Sequence, residues 1–241
     1  MALRIVSKAT NLQKGLVMSK TPRIMLHLTK TAGGTLNTAL RSAPNLNVEM
    51  VYSVDEEHQL NGQDHGHIDL FYGHMFFGVH ERIGLQPTPR YLCFMRHPVT
   101  RTISHYYHLR NHDESFIGDI MRKSSDINDF FETTGYWEFS DLMSKVISGK
   151  QKHDDKEELF RMAVHNLDNY FDFVGFQEFF ALSVRDLNKT LGTKLDIQSN
   201  ANVGVYSFDE VSEETVQRIE SLNAIDLRLY RHALDKFLGA Q

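Results

Sequence analysis

Residues 23–36, RIMLHLTKTAGGTL, contain the change of pattern that decides the fold. Arg23 to Leu28 is a short apolar run, and a loop of Thr, Ala and Gly residues follows it. The next stretch, TLNTALRS (35–42), has helical character. The segment therefore predicts a buried strand whose carboxyl end opens into a glycine-bearing turn at the start of a helix.

The same alternation of strand and helix recurs along the chain. Three further apolar runs predict strands at 68–72 (IDLFY), 90–95 (RYLCFM) and 171–176 (FDFVGF). Helical patterns cover 99–109, 177–191, much of 115–170 and the tail at 212–238. This order predicts an α/β protein with a central parallel sheet flanked by helices and a helical C-terminal part. In such sheets ligands bind beyond the carboxyl ends of the strands.

The chain has 241 residues, of which 41% are hydrophobic and 11% aromatic, enough to form the core of one α/β domain. No repeat or long linker divides it, so we predict an N-terminal extension over 1–21 and a single domain over 22–241. The extension contains basic residues without the continuous apolar core of a secretory signal. A flexible extension is the favoured interpretation, and an organellar transit peptide is the alternative.

The cysteine content and the hydropathy predict a cytoplasmic protein. Cys93 is the single cysteine, so no intramolecular disulfide can form. A reducing compartment suits such a chain. No stretch approaches the roughly 18 consecutive apolar residues that indicate a transmembrane segment.

Positive charge is concentrated in two segments, although the net charge is −5. Seven basic residues precede Glu49, the first acidic residue, and five arginines lie in the acid-free window 82–112. These segments sum to +12 and the remainder of the chain to −17. The pattern predicts two segments that converge on an anion, with solvated basic faces as the alternative. The acidic whole disfavours a nucleic-acid-binding protein.

The first motif is LTKTAGGTL (28–36), at the strand-to-helix turn. Small residues allow the backbone N–H groups of 32–35 to surround an anion at the positive end of the helix. Lys30 adds a charge, and Thr31 and Thr35 add hydroxyl donors. The motif differs from a Walker A loop because Lys30 precedes the glycines. An ordinary glycine-bearing turn is the alternative.

The second motif is MRHPVTRTISHYYHLR (95–110). Arg96 follows a predicted strand, and Ser104 lies two turns into the helix that begins near Pro98. A guanidinium and a hydroxyl placed in this way could hold a phosphate apart from the first anion. A surface arginine is the alternative.

The third motif is YGHM (72–75), after another predicted strand. An imidazole at the end of a strand is well placed to act as a general base near neutral pH. The chain has 13 histidines, so a structural role is the alternative for His74.

In combination, KTAGGT (30–35), YGHM (72–75) and RHPVTRTISHYYHLR (96–110) resemble the PAPS-dependent sulfotransferases, where PAPS is 3'-phosphoadenosine 5'-phosphosulfate. The resemblance is closest to the heparan sulfate and uronyl 2-O-sulfotransferase branch, and it continues through YFDFVGFQEFF (170–180) and ALDKFL (233–238). It implies a P-loop-like sulfotransferase fold and transfer of a sulfuryl group from PAPS to an acceptor hydroxyl. We expect that acceptor to be a saccharide and the reaction to need no metal.

The resemblance also implies roles for individual residues. Arg96 and Ser104 correspond to the residues that hold the 3'-phosphate, and His74 corresponds to the base that deprotonates the acceptor. We expect Lys30 to be the second catalytic residue, which stabilises the negative charge that develops on the leaving 5'-phosphate. The 5'-phosphosulfate loop corresponds to Lys30, Thr31, Ala32, Gly33, Gly34 and Thr35.

On the acceptor side the resemblance implies contacts from His27, Tyr72 and Arg110. Tyr72 stands where the glycan enzymes have a histidine, and His27 stands where they have an arginine.

The cysteine pairing and membrane anchor of the animal enzymes have no counterpart in the sequence. A P-loop-type kinase and a non-catalytic module that binds nucleotide or glycan are the alternative functions.

Overall fold

The computed structural model of the protein describes residues 21–112, 116–133, 137–152, 154–195, 197 and 208–240. Nearly all of the extension predicted over 1–21 lies outside the described residues. Within them, five strands form one parallel sheet in the order β2-β3-β1-β4-β5. The strands are β1 (Arg23–Leu26), β2 (Val48–Val51), β3 (Leu70–Gly73), β4 (Tyr91–Met95) and β5 (Phe171–Phe176).

Helices connect the strands and form most of the chain after β4. The α-helices are α1 (Gly33–Arg41), α2 (Val54–Leu60), α3 (Val79–Arg82), α4 (Pro98–His112), α5 (Phe116–Lys123), α6 (Ile127–Thr133), α7 (Leu142–Ser148), α8 (Lys156–Tyr170), α9 (Phe180–Leu191), α10 (Glu213–Leu222) and α11 (Ala224–Gly239). Short 3₁₀ helices cover Trp137–Phe139, Gln177–Phe179 and Phe208–Glu210. No helix in the described ranges is long and apolar enough to cross a membrane.

Alternate side chains of the central strands pack on opposite faces of the sheet. Ile24 and Leu26 belong to a core shared with residues of α7, α8 and α11, whereas Met25 belongs to a core shared with α1 and α9. Both faces are therefore covered by helices, which is why the strands read as continuous apolar runs. The predicted fold class, one α/β domain with a central parallel sheet and a helical C-terminal part, is confirmed.

Several elements differ from the sequence-based prediction. β1 ends at Leu26, and the chain turns just beyond it because the Leu28 N–H donates back to the Leu26 carbonyl at 3.2 Å. The short edge strand β2 was not predicted. The tail predicted as helical over 212–238 is two helices that meet at Asn223, whose side-chain amide donates to the Phe139 carbonyl at 2.8 Å.

Two buried aspartates hold the starts of α7 and α11 together. Asp226, which is completely buried, accepts hydrogen bonds from Met143 N at 3.0 Å, Ser144 N at 2.7 Å and Ser144 Oγ at 2.6 Å. In return, Asp141 Oδ1 accepts from the N–H groups of Ile225 at 2.9 Å and Asp226 at 3.1 Å. Each helix is thus capped by a carboxylate from the other, a pair of contacts that we call the reciprocal cap.

Replacing Asp226 with Ala should reduce the free energy of unfolding by about 3 kcal/mol, because a helix cap is lost and buried donors are left without partners. Equilibrium denaturation in urea measures the change. Asp235→Ala, at an exposed position of the same helix, is the matched control and should have little effect. Equal stability of the two variants would contradict the assigned role of Asp226.

Candidate active site

The strand order brings the three predicted motifs to one edge of the sheet. Leu26, the last residue of β1, pairs with Gly73 of β3 on one side and with Cys93 of β4 on the other. Because all strands are parallel, the segments that follow β3, β1 and β4 emerge side by side. The glycine-bearing loop therefore lies in the middle, with His74 on one side and Arg96 on the other.

The loop after β1 contains two residues in the left-handed region, Lys30 with φ 67° and Ala32 with φ 71°. Non-glycine residues rarely adopt this region, and such strain is concentrated at functional sites. Left-handed residues in a tight turn direct successive N–H groups toward a common concave face that suits an anion. The Thr31 hydroxyl, by contrast, donates to the Leu28 carbonyl at 2.7 Å and is buried, so it stabilises the loop itself.

Gly33 begins α1 directly beneath an imidazole. A Cβ added to Gly33 would lie only 1.5 Å from His27 Nε2, so the ring can cover the loop only because this position has no side chain. The Gly33 carbonyl accepts a hydrogen bond from the Tyr72 hydroxyl at 3.1 Å. Tyr72 is completely buried, and its hydroxyl is thus engaged in supporting the loop.

The two basic segments meet through Arg96. Its Nη1 donates to the Lys30 carbonyl at 3.2 Å, and its Nε donates to Thr100 Oγ1 at 3.2 Å. Desolvation and the nearby Arg96 charge lower the pKa of the half-buried Lys30 ammonium. Two cationic groups that destabilise each other in this way favour the binding of an anion between them.

Ser104 and Arg110 lie farther along α4. Ser104 is buried, on the second turn of the helix. Arg110 lies about 18 Å along the helix from Pro98, at 1.5 Å per residue. Its guanidinium contacts the Tyr106 hydroxyl and the Ser125 carbonyl, so the structure does not bring it into contact with the groups that follow β1 and β3.

Four rings form a continuous cluster beyond β1, β2 and β3, which we call the ring cluster. His27 stacks on Tyr72 with centroids 5.3 Å apart, and His74 lies 4.6 Å from His27. Tyr52, the residue after β2, meets His74 edge-on at 5.1 Å and His27 at 6.2 Å. Sequence reasoning missed Tyr52, because β2 itself was not predicted.

Both imidazoles of the ring cluster are held neutral. Burial, followed by the charges of His74 and Lys30, lowers the pKa of His27 to about 3. Although the His74 side chain is exposed, desolvation by the surrounding protein lowers its pKa, and this effect exceeds the opposing influence of the Glu138 charge. A neutral imidazole can accept a proton, so His74 is in the correct form for a base at neutral pH.

Sequence reasoning also missed Glu138, which contacts two buried side chains of α4. His105 Nε2 lies 2.6 Å from Glu138 Oε2, and the completely buried Arg101 donates to the Glu138 carbonyl at 3.1 Å. The charge of Glu138 raises the pKa of His74, so this carboxylate would stabilise an imidazolium formed there. Nothing in the local sequence links Glu138 to α4, because the contact is tertiary.

Among the described residues, no group of three or more His, Cys, Asp and Glu side chains forms a metal-binding cluster.

No protein-family model matches the chain. No curated protein matches it in sequence. Solved structures that resemble it include mouse sulfotransferase SULT7A1 complexed with PAP, at 12% identity and a TM-score of 0.40, covering 84% of this chain and 65% of that one. Another is a sulfotransferase from Alicyclobacillus acidocaldarius, at 19% identity and a TM-score of 0.39, covering 88% of this chain and 99% of that one. With TM-scores this low, neither likeness carries an argument about this chain.

Gly33→Ala should displace the His27 ring, because the new Cβ would overlap Nε2. Once outside its buried position the imidazole should titrate closer to the ordinary pKa of 6.5 than to about 3. NMR titration of the His27 ring measures this change. Gly239→Ala, whose added Cβ meets nothing within 4 Å, is the control. An unchanged His27 pKa in Gly33→Ala would show that the ring does not depend on this contact.

Proposed function

We propose that the chain is a PAPS-dependent sulfotransferase that transfers a sulfuryl group from PAPS to an acceptor hydroxyl, on a saccharide. The observation that carries the proposal is the contact of Arg96 with the Lys30 carbonyl at the edge where His74 also emerges. This arrangement places two cationic groups near a neutral imidazole, as a doubly anionic donor and a general base would require. A saccharide acceptor, the 2-O-sulfotransferase branch and a cytoplasmic location remain parts of the proposal that rest on the sequence.

The residues around the loop fit a donor that carries two anionic groups. Residues 30–35 would hold the 5'-phosphosulfate through their N–H groups and the Lys30 ammonium, with the Thr31 side chain as internal support. Arg96 and Ser104 would hold the 3'-phosphate. Two buried atoms beside the loop, Thr29 Oγ1 and His27 Nδ1, have no hydrogen-bond partner among the described residues, a pattern typical of sites that a ligand completes.

In the proposed mechanism, His74 accepts the proton of the acceptor hydroxyl as that oxygen attacks sulfur. The donor, when bound, supplies an electrophilic sulfuryl group. Lys30 and the loop N–H groups stabilise the negative charge that develops on the leaving phosphate, as preorganised donors do in phosphoryl transfer. Glu138 stabilises the positive charge that His74 acquires. The chain's own part in the reaction is therefore to position both substrates, to take up one proton and to balance charge.

Binding of adenosine 3',5'-bisphosphate (PAP), the desulfated product, tests the donor site. Isothermal titration calorimetry without metal should give a dissociation constant on the order of micromolar, far tighter than for ATP, and Arg96→Ala should weaken it at least about tenfold through loss of a charged hydrogen bond. Arg90→Ala is the matched control, because Arg90 precedes β4 and pairs with Asp172. A preference for ATP with Mg²⁺ would instead favour a P-loop-type kinase and overturn the proposal.

His74→Ala should lower kcat by about 10²–10⁴-fold while leaving PAP binding intact, because a general base contributes a rate factor of this size. PAP release from PAPS in the presence of a saccharide panel measures the rate. Because the pKa of His74 is lowered, the wild-type rate should fall with acidification, as protonation removes the base, and the midpoint of that fall should lie below the ordinary imidazole pKa of 6.5. The exposed His58 on α2 provides the control variant His58→Ala. Comparable turnover by His74→Ala would exclude this residue as the base; binding of PAP without turnover by the wild type would favour a binding module.

A further inference from the structure

Tyr52 is the member of the ring cluster that no sequence motif contains. It follows β2, the strand next to β3, and the pairing of Val51 with Gly73 places it beside His74. The centroids of the Tyr52 and His74 rings are 5.1 Å apart with an interplanar angle of 86°. A molecule that reaches the His74 imidazole therefore also meets the Tyr52 side chain.

A hydrogen-bonded chain from α1 fixes the orientation of the Tyr52 hydroxyl. Arg41 Nε donates to Asn37 Oδ1 at 2.7 Å, and Asn37 Nδ2 donates to the Tyr52 hydroxyl oxygen at 2.9 Å. Arginine has only donors, so the Asn37 oxygen must face Arg41 and its NH₂ group must face Tyr52. The Tyr52 oxygen is consequently an acceptor in this contact, and its own proton is directed elsewhere.

The Tyr52 proton is available to a ligand. In the part of the chain that the structure describes, the Tyr52 hydroxyl donates no hydrogen bond to another residue. Its ring is half-buried rather than enclosed. Burial raises the pKa of Tyr52, so the phenol remains protonated at neutral pH. Tyr72, the other phenol of the ring cluster, already donates to the Gly33 carbonyl.

From this geometry we infer that Tyr52 positions the acceptor by donating a hydrogen bond to a second oxygen, next to the hydroxyl whose proton His74 removes. The inference rests on the proposed function and narrows its substrate class. The acceptor carries neighbouring oxygens, as the vicinal diol of a sugar does, and a compound with an isolated hydroxyl lacks one of the two contacts. The chain Arg41–Asn37–Tyr52 also places the acceptor relative to α1, the helix that begins at the donor loop.

Two small acceptors distinguish the contact with Tyr52 from the contact with His74. One is trans-1,2-cyclohexanediol, which has two neighbouring hydroxyls, and the other is cyclohexanol, which has a single hydroxyl. With PAPS as donor, the wild-type kcat/KM should favour the diol by roughly tenfold, the value of one well-placed hydrogen bond. Tyr52→Phe keeps the ring and removes the hydroxyl, so its kcat/KM for the diol should fall to about its own kcat/KM for cyclohexanol. Tyr170→Phe, which removes a phenol at the end of α8, should retain the preference.

Calorimetry with PAP on the same proteins tests the proposed function separately from the role of Tyr52. Failure of the wild type to bind PAP would overturn the proposed function. If PAP binds and Tyr52→Phe retains the diol preference, the role of Tyr52 is wrong and the proposed function stands. A wild type that binds PAP but sulfates neither probe, or both equally, would likewise overturn the inference. Asn37→Leu, which frees the phenol to rotate, should give an intermediate preference if the chain from α1 orients it.

Discussion

Parallel pairing of β1 with a strand on each side is the constraint on which the site depends. β1 donates and accepts backbone hydrogen bonds with both β3 and β4, so its carboxyl end cannot shift without breaking two ladders. The loop that follows inherits this rigidity, and left-handed backbone at Lys30 and Ala32 is tolerated because the strand and α1 fix both ends of the turn. The groups after β3 and β4 are then placed on either side of the loop by strand order and register.

Electrostatics and packing act together at this edge. Lys30 and Arg96 are close enough to depress the basicity of the lysine, and a protonated His27 beside them would add a third positive charge. Burial of the His27 ring over Gly33 keeps the imidazole neutral, so positive charge is concentrated on the side that faces the donor loop. The other rings of the ring cluster, in turn, present neutral surfaces beside His74. The site is thereby divided into a cationic half and an uncharged half.

The sequence alone predicted the fold class and the convergence of the two basic segments, because buried parallel strands such as 90–95 give strong apolar runs and the segments that follow them share one edge of the sheet. β2 escaped prediction because it is a four-residue edge strand, VEMV, with three half-buried positions. Tyr52 was missed with it. Glu138 could not be assigned either, since its contacts with Arg101 and His105 span more than 30 residues and leave no local pattern. The hydrogen bond from the Thr31 hydroxyl to the Leu28 carbonyl could not be predicted either, because it depends on the geometry of the turn.

The reciprocal cap has a consequence for the order in which the molecule can assemble. Asp226 lies 82 residues beyond Ser144, which it binds, and α11 follows every strand of the sheet along the chain. During synthesis on the ribosome, β1 to β5 have therefore emerged before the partner of α7 exists. Until then the first N–H groups of α7 and the Asp141 carboxylate must be solvated by water. During synthesis, closure of that part of the interior therefore has to wait for a downstream segment and cannot be completed by local propensity.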